Sequence, residues 1–340
     1  MNLRPETGKY IDRKGRIEMI LAIDKGECSR KYVNAARDMK VDYKLVDCTS
    51  SDIMKQLEKV DALIYHWTQD SYIDKRVAFH IIRSAELMGK KVYPNSNTCW
   101  MFDDKIAEKY LLEAAGAPCV ESKVFFNKIS ASKWISRQKY PFVYKLPQGA
   151  GSSNVRLIKN KRDALRICKS HFSFWGRPDI GMKLYYSEKS MYGKTLQQIY
   201  QSNLFRYVTN NRGYILFQKF APDNKYDIRV TIIGERSIIF RRMVRDNDFR
   251  ASGSGKIDYN VSERDLLAIP IARKISEFVN SQTMAYDFIY DNGELRIVEM
   301  SYGFVAKAVY DAPGWYDEKM VFHPEKTDAY KMVIEKLIEQ

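Results

Sequence analysis

Between residues 16 and 94 the chain switches repeatedly between short apolar runs and helical periods. Ile17–Ile23, Val41–Val46, Ala62–Tyr65 and Lys91–Tyr93 read as strands. Cys28–Met39, Ile53–Val60 and Ile73–Met88 read as helices, the last closed by Gly89. A strand that returns through a helix runs parallel to its predecessor, and the crossover is right-handed. The segment therefore predicts a small parallel sheet covered by helices. Its first turn reads Asp24-Lys25-Gly26-Glu27 rather than a glycine fingerprint, so no dinucleotide site is expected there.

A second unit opens near Asn95. Asp103 or Asp104 caps a helix over Asp104–Ala115, which Gly116 and Pro118 end. Strand-like Ser122–Phe126, a helix over Ser130–Arg137, strands Phe142–Leu146 and Val155–Ile158 and a helix over Lys161–Ser170 follow. Residues 171–212 are aromatic and polar without a period. β signals return at Tyr214–Phe220, Asp227–Ile233 and Ser237–Arg242. A helix over Glu263–Val279, a hairpin over Ala285–Met300 and a last helix from about Lys326 complete the chain. No segment of ~20 unbroken apolar residues is present, so no membrane span is expected. The polar N-terminus, MNLRPETGKYIDRKG, is not a signal peptide. Five scattered cysteines without a C-x-x-C pair suit reduced thiols and a cytoplasmic location. The four histidines have no ligand spacing, and His66 reads as structural.

Lys+Arg number 56 against 42 Asp+Glu, a net charge of +14, which favours an anionic partner. Several places could receive one. Gly149, Gly151, Ser152 and Ser153 lie between two predicted strands, where backbone N–H groups and hydroxyls can close over phosphates or form a plain turn. Lys145, inside the apolar run Phe142-Val143-Tyr144-Lys145-Leu146, is costly to bury without an anion. Lys105 sits at a helix start, against the helix dipole unless it serves a ligand or simply faces solvent. Gln218, Lys219 and Phe220 end a strand that can present backbone groups to a purine edge. Arg229, the Arg241–Arg242 pair and Arg250 in the polar loop 246–255 form either an anion trap or ion pairs with neighbouring aspartates.

Asp287 and Glu299 lie on the two strands of the hairpin around Asp291-Asn292-Gly293. A two-residue Asn292-Gly293 turn puts their carboxylates on opposite faces. A three-residue turn with Gly293 left-handed puts them on one face, lying diagonally. Two carboxylates on one face of apolar strands repel unless a cation bridges them, and oxygen ligands of this kind suit Mg²⁺ held against phosphates.

In this order the pieces resemble the ATP-grasp superfamily, from roughly Ile17 to Val305: a helix-start lysine (Lys105), a strand lysine before a Gly/Ser loop (Lys145), Gln218-Lys219-Phe220, Asp227-x-Arg229, a basic strand end, Asp248-Phe249-Arg250, and finally Asp287 with Glu299-Met300-Ser301. The resemblance implies an α/β (α+β composite) ATP-grasp fold. Residues 1–96 would form a small Rossmann-like domain, 97–180 the lobe with the Gly/Ser loop, and 181–340 the lobe with the metal hairpin. It implies that ATP is held by Lys105, Lys145, the 149–153 loop, Gln218, Lys219 and Phe220. Mg²⁺ would bind Asp287, Glu299 and Ser301. Arg229, Arg241 and Arg250 would hold the carboxylate or the transferring phosphoryl group. The superfamily's usual asparagine two residues after the glutamate is here Ser301, a poorer ligand. Trp100-x-Phe102-Asp103-Asp104-Lys105 and Pro313-Gly314-Trp315-Tyr316-Asp317 resemble a branch associated with bacterial surface-polysaccharide loci. The implied activity is a carboxylate–amine ligase working through an acyl phosphate, its acid a uronic-acid sugar or glycan, its amine an amino acid or small amine, the enzyme a homodimer. Two other readings stand beside it. One is a peptide or protein ligase of the same type. The other is a basic nucleic-acid-binding protein, which lacks any recognition-helix, zinc or RNP pattern to support it.

Overall fold

The computed structural model describes residues 19–67, 71–146, 154–173, 213–246 and 248–339. The Gly/Ser loop with Gly149, Gly151, Ser152 and Ser153, and the stretch 174–212, lie outside the described residues.

Three sheets carry the chain. The first holds β1 (Ile20–Asp24), β2 (Asp42–Val46), β3 (Ala62–Ile64) and β4 (Lys91–Tyr93), all parallel, in the order β2-β1-β3-β4. Alternating strands and helices produced this sheet as the sequence pattern requires. Leu21, Ile23, Leu63, Ile64 and Val92 are buried beneath Tyr32, Ala36, Leu57 and Ile82 of the covering helices. The expected helix over Cys28–Met39 is two short helices, Glu27–Arg30 and Tyr32–Asp38, that meet at Lys31. The C-terminal helix Ala329–Glu339 returns to this unit and buries Met332, Val333 and Leu337 in the same core.

The second sheet is antiparallel. It holds β5 (Ser122–Phe125), β6 (Phe142–Lys145), β7 (Val155–Ile158) and β8 (Ile215–Lys219) in the order β5-β8-β6-β7. The distant strand β8 thus inserts between β5 and β6. Phe142, Tyr144, Ile158 and Phe217 face the helices Lys128–Ile135 and Lys161–Phe172. The alternate residues Val143, Lys145 and Gln218 face a cleft on the other side. Asn127 and Asn160 start the two helices by accepting from the backbone N–H of Ser130 and Asp163, at 2.8 and 2.9 Å.

The third sheet holds β9 (Tyr226–Ile233), β10 (Arg236–Met243), β11 (Ile257–Asp258), β12 (Thr283–Asp291), β13 (Glu294–Ser301), β14 (Trp315–Tyr316) and β15 (Phe322–His323). Its order is β13-β12-β9-β10-β14-β15, with β11 also on β10. One face is apolar: Ile228, Val230, Ile232, Tyr286, Phe288 and Met300 pack on Ala268, Ile269, Ala272 and Ile275 of the helix Ala268–Phe278. The single helix expected over Glu263–Val279 breaks at Leu267. The restart puts Pro270 in the first turn of the second helix, where its missing N–H forfeits no hydrogen bond. Among the described residues no helix is long and apolar enough to cross a membrane, and all five cysteines are free thiols.

Candidate active site

The opposite face of the third sheet carries the charge. Strand parity puts Asp227 and Arg229 of β9, Arg242 of β10, Asp287 of β12 and Glu299 of β13 on it, since directly paired residues share a face. Arg242 pairs with Asp227, Asp287 with Arg229, and Glu299 with Asp287.

The route to the last pairing differs from both readings of the turn. Asp291 pairs with Glu294, so the turn has two residues, Asn292 and Gly293, both left-handed at φ +52° and +83°. On that count Asp287 would face Val298. A β-bulge between Asp287 and Phe288 inserts Val298 as an extra residue on β13: Phe288 pairs with Ile297, and Asp287 with Glu299. The carboxylates therefore share a face, directly opposite and not diagonal. A bulge restores the parity, and the three-residue turn is not formed.

Asp287 is 6% exposed and held by two arginines. Both of its oxygens accept from Arg229, with Nη2 to Oδ2 at 2.8 Å, and Oδ2 also accepts from Arg242 Nη2 at 2.6 Å. Burial opposes its ionisation, but Arg229 and Arg242 outweigh burial and push it down to about 2. Arg242 reaches Asp227 as well, Nε to Oδ1 at 2.7 Å. Asp227 is pushed up to about 6 by burial and then by the charge of Asp287.

The second half of the site is built from lysines and glutamates. Asp104, not Asp103, caps the helix Lys105–Ala114, accepting from Ile106 N at 2.9 Å and Ala107 N at 3.1 Å. Lys105 is its first residue, buried, and its Nζ lies 3.1 Å from Glu299 Oε1. Burial works against the charge on Lys105, yet Glu299, Glu108 and Asp103 outweigh it and raise the lysine above its ordinary range. Lys145 ends β6 with 5% exposure. Its Nζ is 3.5 Å from the carbonyl of the bulged Val298, and burial pushes it down to about 8. Glu299 feels burial too, but Lys105 and Lys145 hold its carboxyl below the usual glutamate range. Glu108, one turn after Lys105, is buried and pushed up to about 8 by burial and by the charge of Glu299.

Between the second and third sheets lies a narrow cleft of about 100 Å³, walled by Val143, Lys145, Gln218, Phe220, Ile289 and Val298 and floored by Asp287 and Glu299. Gln218 is buried and its Nε2 donates to Ser122 Oγ at 3.0 Å. Lys219 also lines the cleft and pairs with Asp291 at 2.6 Å. Phe220 stands edge-on to Phe249 at 5.5 Å, which brings the polar loop to the cleft mouth. Arg250 lines the mouth and pairs with Asp248, Nη2 to Oδ2 at 2.5 Å. Ser301 lies on the same face as Glu299, opposite Ala285, and its Oγ accepts from Gly303 N at 3.1 Å.

The structure gathers Lys145, Gln218, Lys219, Phe220, Arg250, Asp287 and Glu299 around one cleft, with Lys105 and Arg229 behind its floor on Glu299 and Asp287. It sets Arg241 elsewhere. That side chain lies on the apolar face, donating to Asp265 at 2.8 Å and stacked 4.4 Å from the Tyr226 ring. Its neighbour Arg242 takes the place among the carboxylates. A two-residue turn at Gly234-Glu235 pairs Arg236 with Ile233 and hence Arg242 with Asp227, so parity carried a signal for choosing between them. Glu108 and Asp227 complete the cluster. Glu108 had no sequence signal beyond its place one turn after Lys105. His66 lies away from the cleft among Tyr32, Tyr93, Tyr302 and Phe304, with Nδ1 3.0 Å from Tyr32 Oη.

No family model matches the chain, and no curated protein matches it. Solved structures match over nearly all of it. The biotin carboxylase domain dimer of Hydrogenobacter thermophilus 2-oxoglutarate carboxylase, complexed with MgADP, ADP and bicarbonate, gives a TM-score of 0.60 at 13% identity, covering 94% of this chain and 69% of that one. N5-carboxyaminoimidazole synthetase of Staphylococcus aureus, complexed with ADP, gives 0.60 at 13% identity over 95% of this chain and 78% of that one. A RimK domain ATP-grasp protein from Sphaerobacter thermophilus gives 0.56 at 15% identity over 94% of this chain and 98% of that one. Likeness of this kind speaks for architecture: the chain has the mixed α/β ATP-grasp fold.

Proposed function

We propose that this chain is an ATP-dependent carbon–nitrogen ligase that joins a carboxylate to an amine and releases ADP and phosphate. The observation that carries the reading is Asp287 directly opposite Glu299 at the floor of a cleft whose wall presents Lys145, with Lys105 paired to Glu299. The structural neighbours crystallised with ADP or MgADP support nucleotide as the occupant.

A free carboxylate is a poor acyl donor because its oxygens leave badly. Phosphorylation by ATP makes an acyl phosphate, and the amine then displaces phosphate. The chain's task is positioning and charge neutralisation. Gln218 and Phe220 would line the adenine, and Lys145 and Lys105 would meet the phosphates. Arg229, Arg242 and Arg250 would hold the acid and the transferring phosphoryl group, each such contact supplying on the order of 3–4 kcal/mol at a developing charge. The loop 246–255, which packs Phe249 on Phe220, would exclude water from the intermediate. The donor chemistry fits Mg²⁺, which usually takes one or two carboxylates plus phosphate oxygens rather than a full protein cage. Asp287 and Glu299 would hold it, with Ser301 a weaker third, and it would neutralise phosphate charge there. Asp287 is gripped by two arginines, so binding would require them to turn towards the incoming anions. For the acid we retain the uronic-acid sugar or glycan expected from the sequence, with a peptide carboxylate as the rival.

Thermal unfolding with ADP, with and without Mg²⁺, tests the site. Ligand at ~100 times its dissociation constant adds about 2.7 kcal/mol to the folded state. The expected result is a Mg²⁺-dependent rise in Tm that Lys145→Met and Glu299→Gln both lose. A folded wild type with no rise would end the ligase reading. ADP release measured across uronic acids and peptides, each with a panel of amines, then decides the acid.

A further inference from the structure

Strand β13 is the edge of its sheet, so the groups on its outer side need partners from elsewhere. Three come from the segment that begins with the helix Lys105–Ala114. Val120 N donates to Ile297 O at 2.9 Å, and Ile297 N donates to Pro118 O at 2.8 Å. Three residues on, Met300 N donates to Glu108 Oε2 at 3.2 Å. Between these fastenings lie the bulged Val298 and Glu299. Glu108 is 4% exposed and approaches from the same helix face as Lys105, about 4.5 Å further along the axis. One rigid helix thus presents a cation to the Glu299 carboxylate and an acceptor to the next backbone N–H.

From this geometry we propose that Glu108 is a positioning residue: it clamps the backbone at Met300 and so fixes where Glu299 presents its carboxylate to a divalent cation. The inference rests on the nucleotide-and-Mg²⁺ reading above. A bulge frees the strand from its ladder at Val298, and a bulged edge strand bends easily. The Pro118 and Val120 contacts secure the side before the bulge. Glu108 secures the side after it. Without the clamp Glu299 keeps its identity but loses its fixed direction, and outer partners of this kind are typically worth 10–100-fold in metal affinity.

The test reads the Mg²⁺ concentration that gives half of the ADP-dependent rise in Tm. Wild type is compared with Glu108→Ala, Glu108→Asp and Glu108→Gln. Glutamine keeps an oxygen acceptor at the same reach, whereas aspartate keeps the carboxyl group but falls one methylene short. Glu108→Ala and Glu108→Asp should each raise the Mg²⁺ requirement about tenfold, Glu108→Gln should stay near wild type, and ADP binding in EDTA should be equal in all four. Should Glu108→Ala fail to fold, the aspartate and glutamine variants carry the comparison. The opposite ranking, aspartate like wild type and glutamine impaired, would overturn the clamp in favour of a purely charge-based role. Equal Mg²⁺ requirements in all variants would overturn it outright. A wild type with no Mg²⁺ response would instead remove the reading on which the inference rests.

Discussion

The two halves of the cleft floor hold buried charge in different ways. On β9, β10 and β12, Asp227 and Asp287 are tied to Arg229 and Arg242 through forked contacts of 2.5–2.8 Å. Guanidinium geometry matches carboxylate geometry, so Arg229 on Asp287 and Arg242 on Asp227 are each held by two bonds and their direction is fixed. On β6, β13 and the helix Lys105–Ala114, the cations are lysines, Lys105 3.1 Å from Glu299 and Lys145 3.5 Å from the Val298 carbonyl. Asp287 is accordingly driven down to about 2, while Lys145 and Glu108 both sit at about 8, close to losing or gaining charge. The arginine half is satisfied by itself. The lysine half holds groups poised near a change of charge, a state found where a ligand binds.

Removing a cation from each half gives the largest contrast. Arg242→Met leaves Asp227 buried beside Asp287 without its arginine, and should cost about 3–5 kcal/mol of stability. Lys145→Met removes a desolvated charge and keeps the volume, so stability should change by less than about 1.5 kcal/mol while the ADP-dependent rise in Tm disappears. Urea unfolding at neutral pH measures both. Equal destabilisation by the two variants would show that the halves do not differ in this way.

The second contrast is in pH. Glu108 has its folded pKa raised to about 8 from an ordinary value of 4.5. The folded state therefore holds a proton that the unfolded state releases, and stability falls as pH rises between those values, by at most about 1.4 kcal/mol per unit. Glu108→Gln removes this slope. Relative to wild type the variant should gain on the order of 1–3 kcal/mol between pH 5 and pH 8. Asp287 has the opposite sign: its contribution is complete above pH 4 and fades as pH falls towards 2. A pH-independent difference between wild type and Glu108→Gln would mean that the lysine half is as firmly charged as the arginine half.

How much of this was legible follows the same division. The parallel sheet could be read because β1 to β4 are marked by apolar runs between helical periods. Lys145 could be read because one lysine inside Phe142–Leu146 breaks that pattern. The common face of Asp287 and Glu299 was reached by the wrong route, since a bulge at Val298 has no signature in residue type. Arg242 was passed over for Arg241 although the Gly234-Glu235 turn distinguishes their faces. Glu108 was invisible because its partner is a backbone N–H on a strand some 190 positions away, and long-range pairing of that kind is set by packing rather than by local pattern. The two-residue strands β11, β14 and β15 were missed for the same reason: they are too short for any period.

The smallest expected effect concerns Ser301, where the two halves meet. It shares a face with Glu299, but alternate residues on a strand are separated by about 6.6–6.8 Å, and a hydroxyl one bond from Cβ spans little of that distance. One lone pair of its oxygen already accepts from Gly303 N at 3.1 Å. Ser301→Ala should therefore lose about 0.5–1.5 kcal/mol of stability through that hydrogen bond, while shifting the Mg²⁺ requirement less than the tenfold expected of an outer partner such as Glu108. Ser301→Asn, with a longer side chain and a better oxygen donor, should lower the requirement. Parallel Mg²⁺ titrations of the ADP-dependent Tm rise settle the matter. A tenfold penalty in Ser301→Ala would make the hydroxyl a true third ligand, and would place the ligand-poised half of the site further along β13 than the lysines alone imply.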